Sequence, residues 1–222
     1  MSNPDDEDIK IEEITSPSQN DLKDDLKLKL VLLGDSGVGK TNLINTSIGI
    51  DFLENNNSTV SGSFISKQFI INDKKYNVNI WDTAGQEQYR SITKLFFKGS
   101  EIVILVYDIT KPSTFESLDT WYSMCQDIIG NEVVYGVVGN KIDLYMNERV
   151  LEEDAQKFAE AINAKFKIVS AKERPKEFVD FLKQLVTDYK SLDNIERRDS
   201  IILNKIEYID NNNNKKSQKA CC

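Results

Sequence analysis

The stretch LKLKLVLLGDSGVGKT, residues 26–41, decides the fold. Its first eight residues alternate and then become continuously apolar, as in a strand entering a buried sheet. GDSGVGKT follows at once and fits G-x-x-x-x-G-K-[ST], and GKTNLINTSI then opens a helix, the setting a phosphate cradle requires. Glycines let the backbone close around an anion so that its N–H groups and the helix N-terminus face the charge. The expected cradle is Gly34, Asp35, Ser36, Gly37, Val38, Gly39, Lys40 and Thr41, with Asn42 beside it. Lys40 is expected to neutralise β- and γ-phosphate charge and the Thr41 hydroxyl to ligate Mg2+. The pattern implies a nucleoside triphosphate without saying which base.

Working outward, strands and helices alternate. FISKQFIIN and KYNVNIW flank the turn NDK as a hairpin, and EIVILVYDI and EVVYGVVGN are apolar runs of the kind buried on both faces of a parallel sheet. FKIVS is a shorter strand, and helices fit 113–129, 151–162 and 175–190. This order predicts an α/β sheet with helices on both faces and a ligand at the carboxyl ends of the strands. Residues 1–25 read as an acidic disordered extension, 26–190 as one nucleotide-binding domain and 191–222 as a flexible tail.

The other chemical motifs fall where that rule puts them. DTAGQEQYR, residues 82–90, follows VNIW. Asp82 is placed to hold magnesium through water, Gly85 to offer a backbone N–H to a γ-phosphate, and Gln86 to orient an attacking water as the catalytic amide beside Lys40. GNKID, residues 139–143, selects the base. Guanine presents N1–H and an exocyclic NH2 side by side, and the Asp143 carboxylate can accept from both. Adenine would leave that carboxylate unpaired, a costly mismatch. Asn140 can bond the ring edge and neighbouring loops, and the Lys141 stem can lie along the base. SAK, Ser170, Ala171 and Lys172, follows FKIV and could bring the Ala171 N–H to the guanine O6. Four strand-end motifs in this order point to GTP and GDP.

GDSGVGKT, WDTAGQE, GNKID and SAK resemble the Ras superfamily of small GTPases, and YRSIT, FFKGS and LVYDIT resemble its Rab branch. The resemblance covers roughly residues 26–190. It implies a P-loop G domain whose six-stranded, mostly parallel sheet has one antiparallel edge strand. It also implies a GDP/GTP switch that hydrolyses GTP and regulates vesicle traffic. The partners implied are an exchange factor, a GTPase-activating protein, effectors and an escort or GDP-dissociation inhibitor, the chain itself being a monomer. Thr59 matches the first-switch threonine that contacts Mg2+ and the γ-phosphate in the GTP state, and Phe52 the aromatic packed against guanine. Ser36 stands where Rab proteins commonly have a serine. Phe64, Trp81 and Phe96 match the aromatic triad that reports the nucleotide state to effectors. The segment VSGSF, residues 60–64, departs from the usual pattern, with Ser61 in a glycine position and Ser63 in place of an acid.

Composition narrows the field further. The net charge is −8, of which residues 1–26 carry −7, so the remainder is nearly neutral and offers no basic face for nucleic acid. The chain has no histidine, which removes His-based chemistry. No apolar run approaches the roughly 18–20 residues of a membrane span. Three cysteines, one of them mid-chain, suit a reducing compartment. On chemistry alone the last two residues, Cys221 and Cys222, are exposed thiols open to palmitoylation, since the C-a-a-X signal is absent. The Rab resemblance turns them into a geranylgeranylation site, with Lys215, Lys216 and Lys219 beside it. The implied location is the cytoplasmic face of an intracellular or plasma membrane, lipid-anchored, with a cytosolic escort-bound pool. Two alternatives stand beside this reading. One is a GTP-bound membrane scaffold with little or no hydrolysis. The other is a metabolic P-loop kinase, for which the sequence provides neither a substrate lid nor an acceptor site.

Overall fold

The computed structural model describes residues 26–54, 59, 63–71, 74–83, 98–129 and 133–191. The opening strand is β1, Leu26–Leu33, and the phosphate-loop pattern leads into α1, Lys40–Ser47. The hairpin strands are β2, Ser63–Ile71, and β3, Lys74–Asp82, followed by β4, Ile102–Asp108. Two short helices come next, α2, Pro112–Glu116, and α3, Leu118–Ile129. After β5, Val134–Asn140, come a 3-10 turn over Ile142–Asn147, α4, Glu152–Ala161, and β6, Lys165–Ile168. A last helix, α5, spans 175–191.

The six strands form one sheet in the order β2-β3-β1-β4-β5-β6. Only β2 and β3 pair antiparallel; every other neighbour is parallel, as expected. Alternation along the strands sorts side chains into two cores. Leu28, Leu30 and Leu32 of β1 face α1 and α5 together with Ile102, Ile104 and Val106 of β4. Val31, Leu33, Val103 and Leu105 face α3 and α4 on the other side, around Trp121, Cys125, Ala155 and Ala159. Strands β4 and β5 are buried along their whole length, which is why they read as unbroken apolar runs. Cys125 is fully buried and burial pushes its thiol up to about 12, as for an inert core residue.

The single helix expected over 113–129 is interrupted at Ser117. Hydroxyls compete with the helical ladder there: Thr114 Oγ1 donates to the Lys111 carbonyl (2.7 Å), and Ser117 Oγ shares its one proton between the Thr114 carbonyl (3.0 Å) and the Asp35 carboxylate (2.8 Å). At the amino-terminal end of the sheet, Leu26 is in register with Tyr76, and the Lys190 ammonium of α5 lies over the Tyr76 ring at 5.5 Å. The expected extension 1–25 and the tail beyond 191, with Cys221 and Cys222, lie outside the described residues, as do Gly85, Gln86, Ser61 and Phe96.

Candidate nucleotide-binding site

The carboxyl ends of β1, β3, β5 and β6 open on a cavity of about 370 Å3, which Lys40, Thr41, Phe52, Thr59, Asp143 and Ala171 help to line. At its floor the chain turns through Gly34, with φ +147, where a Cβ would collide with the Val106 carbonyl oxygen of β4. Gly39, with φ +98, packs against the Asn140 amide in the same way. Only glycine satisfies both positions, so the loop can lie flat on the sheet end. Val38 is fully buried in the core, leaving only its backbone to the site.

Lys40 curls back over the loop, donating to the carbonyls of Gly34 (2.7 Å) and Asp35 (2.9 Å). Burial lowers its ammonium to about 8, against the opposing pull of Asp82 and Asp35. An ammonium has three N–H donors, so one remains for an anion in the cleft. The Asp35 carboxylate points away from the cavity, accepting from Ser117 Oγ (2.8 Å) and Trp121 Nε1 (3.0 Å). Asn42 Nδ2 donates to the Leu53 carbonyl at 2.9 Å, holding the start of the first-switch segment.

Three oxygen groups converge beside Lys40. Thr41 Oγ1 donates to Asp82 Oδ2 at 2.7 Å and lies 3.0 Å from Thr59 Oγ1, itself 3.4 Å from Asp82 Oδ2. Asp82 Oδ1 is buried without a hydrogen-bond partner. Burial raises the Asp82 carboxyl, and bonds from Thr41 and the charge of Lys40 oppose the rise. Two hydroxyls and a carboxylate, one of whose oxygens is buried without a partner, make a donor set suited to a hard divalent cation such as Mg2+.

At the other end of the cleft Asn140, 2% exposed, joins three segments. Its Nδ2 donates to the Val38 carbonyl (2.8 Å), and its Oδ1 accepts from the Ala171 N–H (3.1 Å). The Ala171 N–H, expected to face guanine O6, therefore bonds Asn140 here. Ser170 Oγ donates to Asp143 Oδ1 at 2.7 Å, fixing the carboxylate expected to read the base. Lys172 pairs with Glu54 at 2.9 Å and lies 5.8 Å from the Phe52 ring centroid, which joins the SAK motif to the segment before the first switch. Phe64 and Trp81 stack with centroids 4.9 Å apart, Phe64 being exposed.

Two contributors were not singled out from the sequence. Asp108, in LVYDIT, ends β4 in register with Asn140. Its Oδ2 meets the Lys141 ammonium at 2.7 Å, and its Oδ1 accepts from the Thr110 N–H and hydroxyl. Burial works to raise the Asp108 carboxyl, but the bonds from Lys141 and Thr110 outweigh it and hold it below the ordinary range. Lys141 also donates to the Gly37 carbonyl at 2.8 Å, so β4 props the lysine that props the phosphate loop. Glu54 is the second; an acid in an asparagine-rich segment carries no motif.

The Ras family profile matches residues 29–191. Ras-related protein Rab-2B of Dictyostelium discoideum is 40% identical over 144 residues, 65% of this chain and 71% of the relative. Ras-related protein RABA2a of Arabidopsis thaliana is 40% identical over 149 residues, 67% of this chain and 69% of the relative. GTP-binding protein ypt3 of Schizosaccharomyces pombe is 34% identical over 207 residues, 89% of this chain and 97% of the relative. A strand-end phosphate loop, a sheet with one antiparallel edge pair and similarity of this extent lead to one assignment: the chain belongs to the Ras family as a Rab-type small GTPase, a GTP hydrolase.

Proposed function

We propose that this GTPase is a GDP/GTP switch of membrane traffic whose cleft holds guanine through Asp143, Asn140 and the SAK segment. In this reading Lys40 keeps the loop carbonyls of Gly34 and Asp35 oriented and offers its remaining N–H to the β- and γ-phosphates. Mg2+ held by Thr41, Thr59 and Asp82 would supply charge neutralisation for the transferring phosphoryl group. Gln86 aligns the attacking water, and Gly85 bonds the γ-phosphate through its backbone N–H. The observation that carries the switch is the proximity of the Thr59 hydroxyl to Thr41 and Asp82. A first-switch residue thus reaches the same oxygen cluster as the phosphate loop, and a γ-phosphate bound there would add a further contact for Thr59 that hydrolysis removes. Release of a loop on loss of a few such contacts is how switches of this kind relax.

Residues 34–41 and 52–64 contain no arginine, so a transition-state arginine has to come from a GTPase-activating protein. Unassisted turnover should then be on the order of 10^-4 to 10^-2 per second. Exchange factor, effectors and an escort complete the partner set, with Phe64 and Trp81 part of the surface an effector reads. Cys221 and Cys222 carry two geranylgeranyl groups that hold the chain on the cytoplasmic face of a membrane, since one lipid alone binds only marginally. Among the described residues no helix is long and apolar enough to cross a membrane, which accords with attachment by lipid.

Single-turnover hydrolysis by the GTP-loaded chain tests the assignment of Gln86. Gln86→Leu should retain GTP binding and lose hydrolysis by at least about tenfold, since a misplaced reactant can cost about a hundredfold in rate. Hydrolysis at the wild-type rate in that variant overturns it.

A further inference from the structure

The geometry points to Asp35 as a positioning residue that buckles the phosphate-binding loop to α3 and thereby slows nucleotide release. The inference rests on the reading of this cleft as the GTP site. A carboxylate inside a loop built to receive a polyanion is electrostatically unfavourable unless it is aimed elsewhere. Here both oxygens are turned toward α3, Oδ2 accepting from Ser117 Oγ and Oδ1 from Trp121 Nε1, donors 82 and 86 residues away in the chain. Trp121 is fully buried in the core between the sheet and α3, so its N–H is a fixed anchor.

The same residue presents its backbone carbonyl to Lys40, as does Gly34. The connection therefore runs from the α3 core through the Asp35 carboxylate to the loop carbonyls that orient the phosphate-binding ammonium. The Asp35 charge also acts on Lys40 in the direction that keeps it protonated, after burial and Asp82. A carboxylate suits the post because it only accepts. An asparagine would keep one acceptor oxygen and turn an NH2 toward a donor, and the indole N–H cannot reverse its polarity.

The test uses the full chain loaded with fluorescent GDP and Mg2+, comparing Asp35→Ala, Trp121→Phe and the double variant. Bonds to a charged acceptor commonly shift an equilibrium by tenfold or more. Each single variant should therefore release GDP about 5- to 30-fold faster. The double variant should release it no more than about twofold faster than the faster single, because the Trp121 bond is one of the two that Asp35→Ala already removes. GMP has no β-phosphate for Lys40 to hold, so its affinity should stay within about twofold. Release within twofold of wild type in both single variants overturns the buckle, and so do effects that multiply. An equal loss of GMP and GDP affinity also overturns it, since that marks general loosening of the fold. A wild-type chain that retains neither GDP nor GTP overturns the site reading and the buckle together.

Discussion

Removing the Asn140 carboxamide should weaken guanine-nucleotide binding more than its single position suggests. The side chain donates to Val38 and accepts from Ala171, and all three residues are at most 3% exposed. Asn140→Ala would leave a carbonyl and an N–H buried without partners. Each such orphan costs about 1–3 kcal/mol, so a combined effect of about 3 kcal/mol is a conservative expectation. Because the two bonds join the phosphate loop, the end of β5 and the SAK segment, that energy divides between fold stability and nucleotide affinity. If most of it reaches the cleft, GDP affinity should fall about a hundredfold, each 1.4 kcal/mol being tenfold. Titration with fluorescent GDP and urea unfolding of the GDP-bound chain separate the two shares. Asp143→Asn supplies the contrast: its carbonyl oxygen can still accept from Ser170, so the fold should hold while guanine loses its acceptor pair. GDP affinity within threefold of wild type in Asn140→Ala, with unfolding free energy within about 0.5 kcal/mol, would refute the reasoning.

Asp108 makes stability depend on acid. Its carboxyl is held below its unfolded value, so the stability it contributes is fully present at neutral pH and is lost as pH falls through the folded value. The unfolding free energies of wild type and Asp108→Asn should therefore converge on acidification, and parallel pH profiles would contradict this. Thr41→Asn removes a hydroxyl from the oxygen cluster with Thr59 and Asp82, so the gain in GTP affinity that Mg2+ brings should shrink at least tenfold in a titration with and without chelator. Cys221→Ser with Cys222→Ser should leave GDP affinity unchanged and move the protein to the soluble fraction of a cell lysate; persistent sedimentation with membranes would refute lipid anchoring there.

Much of the site was legible because its chemistry sits in short strings that follow strands. GDSGVGKT and GNKID each need only local backbone geometry to be useful, and β1 and β5 supply it. The antiparallel pairing of β2 and β3 was equally readable, since two apolar runs lie close together in the sequence with a polar break between them. What the sequence hid depends on juxtaposition. The Asp108–Lys141 pair exists because β4 and β5 lie side by side with Asp108 opposite Asn140. The Asp35 bonds need α3 folded over the phosphate loop, and nothing near residue 35 announces a partner near 120. The break at Ser117 also escaped notice, because apolar spacing registers a helical stripe and is blind to hydroxyls that bond back to the preceding turn.

The meeting of Leu26, Tyr76 and Lys190 has a mechanical consequence. The domain's first strand begins, and its last described helix ends, at the floor of the sheet, while the nucleotide cleft opens at the roof. A strand of eight residues rises about 3.3 Å per residue, so roughly 25 Å separates floor from roof. The end of the last described helix and the nucleotide cleft are thus at opposite poles of the sheet, and a group bound at one does not cover the other.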